Sequence, residues 1–284
     1  MISFLTEPLT YEFMQRALLA AILAGGVAAL AGTFVVLRGM VFLGDALAHA
    51  VLPGMAVAYV AGQNLFIGAL LAALFTSFGV GYVSQRQQLH YDTAIGILFS
   101  GMFALGIAII STMRSYTVDL TAMLFGNVLA VSNRELIYLA LLSCLILLAI
   151  FTWGRGWALL AFDADYAAGA GLPVKQLHYT LLLVVALAVV SAMQAVGVVM
   201  VLAMLVVPPA TARLVTQQLP IMMLCGVLFS TSAACGGLYA SYYLNIASGA
   251  AIVLAGVLQF FIVLFYVQMQ EKRQARFSKT EVGS

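Results

Sequence analysis

Residues 17–37 read ALLAAILAGGVAALAGTFVVL and carry no charged side chain. This run predicts a helix that crosses a membrane, because such a helix needs about 20 mostly apolar residues. The rest of the 284-residue chain has the same character: 64% of its residues are hydrophobic and 8% are charged. A soluble domain has about 25% charged residues, so lipid must surround this chain. A soluble enzyme, a nucleic-acid-binding protein and a disordered scaffold are therefore excluded, and the net charge of +2 indicates no polyanionic partner.

Further apolar stretches follow the first, and together they predict an all-α membrane protein with eight or nine crossings. The count depends on residues 179–207, which would span about 43 Å as one straight helix at 1.5 Å per residue. This stretch forms either one long tilted helix or two short helices folded at 194–197. Residues 122–131 are too short to cross, and we expect them at an interface or in a re-entrant turn. The apolar stretches are 17–37, 47–62, 65–84, 93–112, 135–153, 179–207, 220–242 and 250–268.

Basic residues favour nine crossings, because Lys and Arg concentrate on the cytoplasmic side of membrane proteins. If residues 179–207 cross twice and the first loop is cytoplasmic, nine basic residues lie inside and three lie outside. The N-terminus is then outside. We expect one membrane domain, residues 1–270, followed by a basic cytoplasmic tail, residues 271–284. The inside set is Arg38, Arg86, Arg155, Lys175, Arg213, Lys272, Arg273, Arg276 and Lys279, and the outside set is Arg16, Arg114 and Arg134.

Several reactive side chains have ordinary structural interpretations. Asp92 is placed to cap the N-terminus of the fourth span. His90 and His178 lie in segments predicted to be cytoplasmic loops, where they would be solvated. The three cysteines lie within apolar runs, so we expect buried packing residues and no disulfide framework. They are Cys144, Cys225 and Cys235.

Asp45 is the one carboxylate that lies inside an apolar segment, and His49 follows it four residues later. On a helix the two side chains share one face, with Cβ atoms about 6 Å apart. An ionisable residue within a membrane segment is costly and indicates function. Carboxylate and imidazole together suit Mn, Fe or Zn better than Cu(I). Alternatively, the two side chains simply bond to each other.

Two ligands are too few for a divalent ion, which takes four to six. A two-fold assembly would supply the others, because two copies bring two carboxylates and two imidazoles to one axis. Pro53 and Gly54 interrupt the same helix one turn after His49. Broken helices near the membrane midplane often line substrate paths, although Pro and Gly are also tolerated in membrane helices.

A polar interval at about 158–178 predicts a short helix outside the membrane. Asp163 can cap a helix over 164–168, and Gly171, Leu172 and Pro173 end it. Such an elbow, exposed to the cytosol, is either a docking surface for a soluble partner or an ordinary surface loop. The chain has no G-x-x-x-x-G-K-[ST] phosphate-binding loop. We therefore expect the chain to be no enzyme itself, with any ATP hydrolysis on a separate subunit.

Several motifs resemble the membrane permeases of the metal-ion ABC importers (ABC-3 type), which carry manganese, zinc or iron(II). The similarity extends over about residues 18–267. The Pro-Gly of the second motif and Gly126-Asn127 look more like the manganese and iron branch, whereas Pro208-Pro209 departs from the commoner Pro-Ala. The motifs are RGM at 38–40, GDALAHAVLPG at 44–54, LFGNVLAV at 124–131, AMQAVG at 192–197 and VPPATA at 207–212.

The resemblance implies a type II ABC importer permease in the bacterial plasma (inner) membrane, with manganese as the first choice of metal and zinc or iron(II) as alternatives. It implies a second permease copy or paralogue, two cytoplasmic ATPase subunits and an extracytoplasmic metal-binding protein, with no permanently bound cofactor. Asp45 and His49 match the pair implicated in metal passage. The residues that match the ATPase-coupling elbow are Phe162, Asp163, Asp165, Gly169, Gly171, Leu172 and Pro173.

Two other classes of function are compatible with parts of the sequence. Gly44-Asp45 and Tyr91-Asp92 resemble the Gly-x-Gly-Asp and Tyr-Asp motifs of intramembrane aspartyl proteases. Their order here is reversed, and Phe42 occupies the place of the first glycine. An ion-coupled secondary transporter, working without any ATPase, is the third possibility.

Overall fold

The computed structural model describes residues 6–86, 90–112 and 128–281. All regular structure in these ranges is helical, and it comprises eleven α-helices and two 3-10 turns, Pro8–Thr10 and Val128–Ala130. The α-helices are α1 (Glu12–Leu37), α2 (Phe42–Ala50), α3 (Leu52–Val60), α4 (Leu65–Arg86), α5 (Tyr91–Ser111), α6 (Asn133–Phe162), α7 (Ala164–Gly169), α8 (Val174–Val196), α9 (Val198–Val215), α10 (Leu219–Leu244) and α11 (Ser248–Glu281).

Within the described ranges, nine helical stretches are long and apolar enough to cross a membrane. Helices α2 and α3 form a single crossing, Phe42–Val60, because only Val51 separates them. Helix α7 has six residues and is too short to cross. The predicted all-α membrane fold is confirmed, and the nine candidate crossings among the described residues equal the number that the basic residues favour. Of the non-crossing segment expected at 122–131, residues 122–127 lie outside the described residues.

The long apolar stretch at 179–207 is two helices, as one of the two alternatives predicted. Helix α8 ends at Val196 and α9 begins at Val198. The residue between them, Gly197, has φ 87° and ψ 161°, a backbone conformation that only glycine adopts without strain. Helix α9 then continues through Pro208 and Pro209 to Val215.

Helices α1 and α8 lie in the interior of the bundle, and small residues allow their neighbours to approach. α1 packs against α6, α8, α9 and α10. A Cβ at Gly32 of α1 would overlap the backbone carbonyl oxygen of Leu205 in α9. This contact is the close helix approach that the glycine and alanine spacing of the first span predicts.

Helices α6 and α11 form the outer part of the bundle and expose large apolar side chains. Phe151 of α6 and Phe265 of α11 are both exposed, as expected where lipid is the solvent. Cys144 also lies on the exposed face of α6, so its predicted burial is wrong. Because α6 is apolar on every side, the sequence does not distinguish its lipid face from its protein face. Cys225 and Cys235 are partly buried, and all three cysteines are free.

The predicted capping role of Asp92 is also wrong. Helix α5 begins at Tyr91, two residues before the predicted start at position 93, and the capping position belongs to His90, whose side chain makes no capping hydrogen bond. Asp92 therefore lies in the first turn of α5, where its negative charge complements the helix dipole.

Contacts at the two ends of the bundle agree with nine crossings. At one end Arg38, after α1, contacts His178 near the start of α8, and Arg213, near the end of α9, donates to the carbonyl oxygen of Val36. At the other end Tyr11, before α1, packs against Tyr242 near the end of α10. The chain reversals thus place Arg38, the elbow and Arg213 on the same side.

Candidate metal and coupling sites

Helix α2 positions the Asp45 and His49 side chains together. The helix has nine residues, with Asp45 in its first turn and His49 in its last. Their spacing of four residues puts both on one face. Oδ1 of Asp45 lies 3.6 Å from Nε2 of His49. This distance exceeds that of a good hydrogen bond, so the two side chains lie side by side without a direct bond between them.

The pair faces outward from the chain. The Asp45 side chain is 52% exposed and that of His49 is 28% exposed. The opposite face of α2 is buried and includes Leu43 and Leu47. Next to the pair, position 44 has room only for glycine, because a Cβ there would collide with the side chain of Leu205.

Two aromatic rings of α5 surround the imidazole of His49. The rings of Phe99 and Phe103 each lie 5.7 Å from the His49 ring, centroid to centroid, in edge-on arrangements. The two phenyl rings stack on each other at 5.8 Å. This aromatic wall restrains the rotation of the imidazole and leaves its Nε2 atom directed toward Asp45. The sequence did not identify Phe99 and Phe103, because phenylalanines four residues apart in an apolar helix are typical of ordinary packing.

The helix break predicted after His49 is present. Helix α2 ends at Ala50, and α3 begins at Leu52 with Pro53 in its first turn. Beyond the break, Gly54 of α3 meets Gly68 of α4 so closely that a Cβ at either glycine would overlap the other's carbonyl oxygen. Helix α3 is thereby held against α4, while α2 is a separate short segment that carries the polar pair.

The Asp45 carboxylate and the His49 imidazole could provide some, but not all, of the ligands of a divalent ion. Ligands about 2.0–2.2 Å from one zinc-sized ion can be up to about 4.3 Å apart, so the 3.6 Å separation allows Asp45 and His49 to share one ion. In the part of the chain that the structure describes, no three His, Cys, Asp or Glu side chains lie close enough together to hold one metal ion. One chain could therefore supply at most two of the four to six ligands that such an ion takes.

The carboxylates of the aspartyl protease hypothesis lie on different helices. Asp92 is exposed in the first turn of α5. The described ionic contact of Asp45 is with His49. An aspartyl dyad requires two carboxylates that share a proton, and among the described residues no hydrogen bond joins Asp45 to Asp92.

The elbow is a short exposed helix at the same end as Arg38. The side chain of Asp163 accepts a 2.8 Å hydrogen bond from the backbone N–H of Tyr166, so the predicted cap is confirmed. Helix α7 ends at Gly169, and Gly171 follows with φ +78°, a conformation that favours glycine. Of the seven predicted coupling residues, six are exposed and Leu172 is partly buried against the core. The exposed six are Phe162, Asp163, Asp165, Gly169, Gly171 and Pro173.

A polar cluster of Arg38, Tyr91 and His178 was missed by the sequence analysis. His178 is 2% exposed and lies inside α8, so the prediction of a solvated loop histidine is wrong. The reason is that α8 begins at Val174, which places its second turn within the bundle. Arg38 donates one hydrogen bond of 2.9 Å to Nδ1 of His178 and another of 2.7 Å to the hydroxyl of Tyr91. Burial lowers the pKa of Arg38, an effect that Tyr91 partly offsets. The sequence feature that could have indicated the cluster is Arg38, a charged residue directly after an uncharged span.

Comparison with known proteins places these features in one family. The sequence description of the ABC 3 transport family matches residues 10–267. The chain is 44% identical to the manganese transport system membrane protein MntC of Halalkalibacterium halodurans, over 94% of this chain and 91% of that protein. It is 42% identical to a probable iron transport system membrane protein of Haemophilus influenzae, over 95% and 99%. A solved structure of PsaBC from Streptococcus pneumoniae in complex with Fab is similar at a TM-score of 0.80 and 38% identity, covering 93% of this chain and 95% of that one.

Proposed function

This chain belongs to the ABC 3 transport family, and from that membership we propose that it is the permease subunit of an ATP-driven importer for a divalent transition metal, manganese first. The observation that carries the proposal is the pairing of Asp45 with His49, one helical turn and 3.6 Å apart, in a membrane-spanning segment. An oxygen and a nitrogen donor in such a segment suit a cation of borderline hardness. The proposed setting is a bacterial plasma (inner) membrane.

Manganese is the first choice because several similar proteins are manganese transport proteins, and the donors of the pair suit it. One relative is a manganese transport system membrane protein, and another is a probable iron transport system membrane protein. The carboxylate of Asp45 supplies a hard oxygen, which Mn prefers, and His49 supplies a nitrogen that disfavours Ca and Mg. Iron(II) and zinc accept the same pair and are the alternative cargoes.

A second copy of the chain, or a related chain, would complete the site. Asp45 and His49 face outward, and a two-fold axis beside them would bring four ligands to one ion. Helix α5, which packs beside them, has an exposed face with small residues, and Gly96 and Gly101 have open space where a side chain would extend. Such residues let a neighbouring helix approach closely in a membrane.

Transport would be driven from the elbow. The exposed side chains of Phe162 and Asp165 are proposed to dock an ATPase subunit, since the chain contains no phosphate-binding loop of its own. Closure of the two ATPases would move both elbows and swing the helices that carry Asp45 and His49. The ion would then face outside and inside alternately, after delivery by an extracytoplasmic metal-binding protein.

The test is manganese uptake by the complete transporter reconstituted in vesicles. We expect Asp45→Asn and His49→Gln to lose at least about 100-fold in uptake, because each replaces a ligand of the ion by a weakly coordinating amide, and loss of even a group that only orients a ligand costs about 10- to 100-fold. The matched controls are Asp92→Asn and His90→Gln, at exposed positions near the start of α5. We expect both controls to keep uptake within about twofold of the unmodified transporter.

Three results would contradict the proposal. Uptake at the unmodified rate in Asp45→Asn would remove the pair from the transport path. Uptake that persists without any ATPase subunit would favour the secondary transporter. Loss of function in Asp92→Asn equal to that in Asp45→Asn would favour a paired-carboxylate mechanism. Competition of iron(II) and zinc with manganese in the same assay identifies the preferred cargo.

A further inference from the structure

The cluster of Arg38, Tyr91 and His178 joins three helices at one end of the bundle. Arg38 lies in the turn between α1 and α2, Tyr91 is the first residue of α5, and His178 lies in the second turn of α8. We infer that this cluster is a positioning device that transmits movement of the elbow to Asp45 and His49, an inference that rests on the proposed transport function.

On the elbow side, His178 is part of a rigid unit with the helices that flank α7. Only four residues separate Pro173, at the end of the elbow, from His178. The indole N–H of Trp157 in α6 donates a 3.2 Å hydrogen bond to the hydroxyl of Thr180 in α8. A Cβ at Gly156 would collide with the side chain of Leu177. The end of α6 and the start of α8 are therefore packed together and would follow a displacement of the elbow as one body.

On the metal side, the other two members lead directly to the candidate site. Arg38 precedes Asp45 by seven residues, across the short turn that opens α2. Tyr91 begins α5, and Phe99 lies about 12 Å further along that helix at 1.5 Å per residue. Phe99 contacts the imidazole of His49. One guanidinium thus connects the start of α8 to both elements that position the pair.

The hydrogen-bonding roles in the cluster are determined by chemistry. Arg38 can only donate, so Nδ1 of His178 must be an unprotonated acceptor, and its proton resides on Nε2. That Nε2 atom is buried and has no hydrogen-bond partner among the described residues. The described partners of the Arg38 guanidinium are neutral groups, His178 and Tyr91. A partly buried cation and an unsatisfied donor both cost free energy. An apolar contact would hold the three helices together at a lower cost in free energy.

The test measures how many metal ions are imported for each ATP hydrolysed by the reconstituted transporter. We expect His178→Leu to lower this ratio roughly tenfold, within the 5- to 150-fold range usual for coupling between two sites. The KM for manganese and the rate of ATP hydrolysis should stay near the unmodified values. His178→Asn should restore most of the ratio, because its amide oxygen can accept the Arg38 hydrogen bond where Nδ1 does.

Two further variants serve as a parallel test and a control. Arg38→Lys should lower the ratio as His178→Leu does, because an ammonium group cannot reproduce the two-pronged geometry of the guanidinium. His90→Leu, at an exposed position next to Tyr91, should leave the ratio unchanged.

Distinct results would overturn the inference. If His178→Leu lowers uptake and ATP hydrolysis in parallel with thermal stability, the cluster is only a structural brace. If His178→Leu keeps the unmodified ratio, or His178→Asn fails to restore it, the cluster does not transmit movement. These failures are separable from failure of the proposed function, in which the unmodified complex itself imports no metal.

Discussion

Replacement of Gly32 by alanine tests whether the packing of α1 on α9 is as close as the structure shows. The added Cβ would overlap the carbonyl oxygen of Leu205 and lie 2.7 Å from its carbonyl carbon. Both atoms belong to the backbone, so no side-chain rotation relieves the overlap. The two helices must separate, and overpacking of this kind costs about 1–3 kcal/mol.

The matched control is Gly26→Ala on the same helix. A Cβ at Gly26 meets only a methyl group of Val227, at 3.9 Å, which is an ordinary van der Waals contact. Both substitutions gain up to about 1 kcal/mol of helix propensity. If the overlap costs the upper value of about 3 kcal/mol, Gly32→Ala is destabilised by about 2 kcal/mol and Gly26→Ala is stabilised by about 1 kcal/mol.

The assay is the fraction of monodisperse protein that remains in detergent after heating over a series of temperatures. We expect Gly32→Ala to denature at a lower temperature than the unmodified protein, and Gly26→Ala at the same or a higher one. Because Leu205 also contacts Gly44, next to Asp45, Gly32→Ala should reduce metal uptake as well. Equal thermal stability of the two variants would refute the close approach of α1 and α9.

Three further predictions concern the helix break, the aromatic wall and the elbow. Gly197→Ala should lower thermal stability in the same heating assay by about 1–3 kcal/mol, because alanine is strained at φ 87° and ψ 161°. Phe99→Leu should raise the KM for manganese uptake about tenfold while leaving the maximal rate nearly unchanged, because the orientation of His49 is lost. Asp163→Ala should remove about 1 kcal/mol of helix stability from α7 and lower metal-stimulated ATP hydrolysis, whereas Asp165→Ala, which removes no capping bond, should retain α7.

The crossings could be predicted from the sequence because lipid leaves a helix few alternatives. Every backbone polar group in hydrocarbon must be paired within its own segment, so an apolar run of sufficient length reports a helix directly. The same reasoning from length, about 43 Å for residues 179–207, predicted that a fold at 194–197 was possible, and Gly197 supplies it. The Asp163 cap and the Asp45–His49 face were predictable because both depend on spacings of three or four residues.

Contacts between distant segments could not be predicted in this way. Arg38 and His178 are 140 residues apart, and the local sequence around either residue does not indicate that it contacts the other. In a soluble protein, polarity would mark the buried face of a helix, but here both faces are apolar. Cys144 therefore could not be assigned to the lipid side, and His178 could not be assigned to the interior.

The position of Asp45 gives the strongest physical reason for an assembly of two chains. Its carboxylate is half exposed, on a helix within a crossing, and its described ionic partner is His49 alone. An ionised group facing hydrocarbon costs several kcal/mol, so that face must be covered by water or by protein. Water alone would satisfy the charge but would leave the small exposed residues of α5, Gly96 and Gly101, without a role. A second chain would explain both features, since it would cover the α5 face and bring its own carboxylate and imidazole to a shared ion that balances the carboxylate charges.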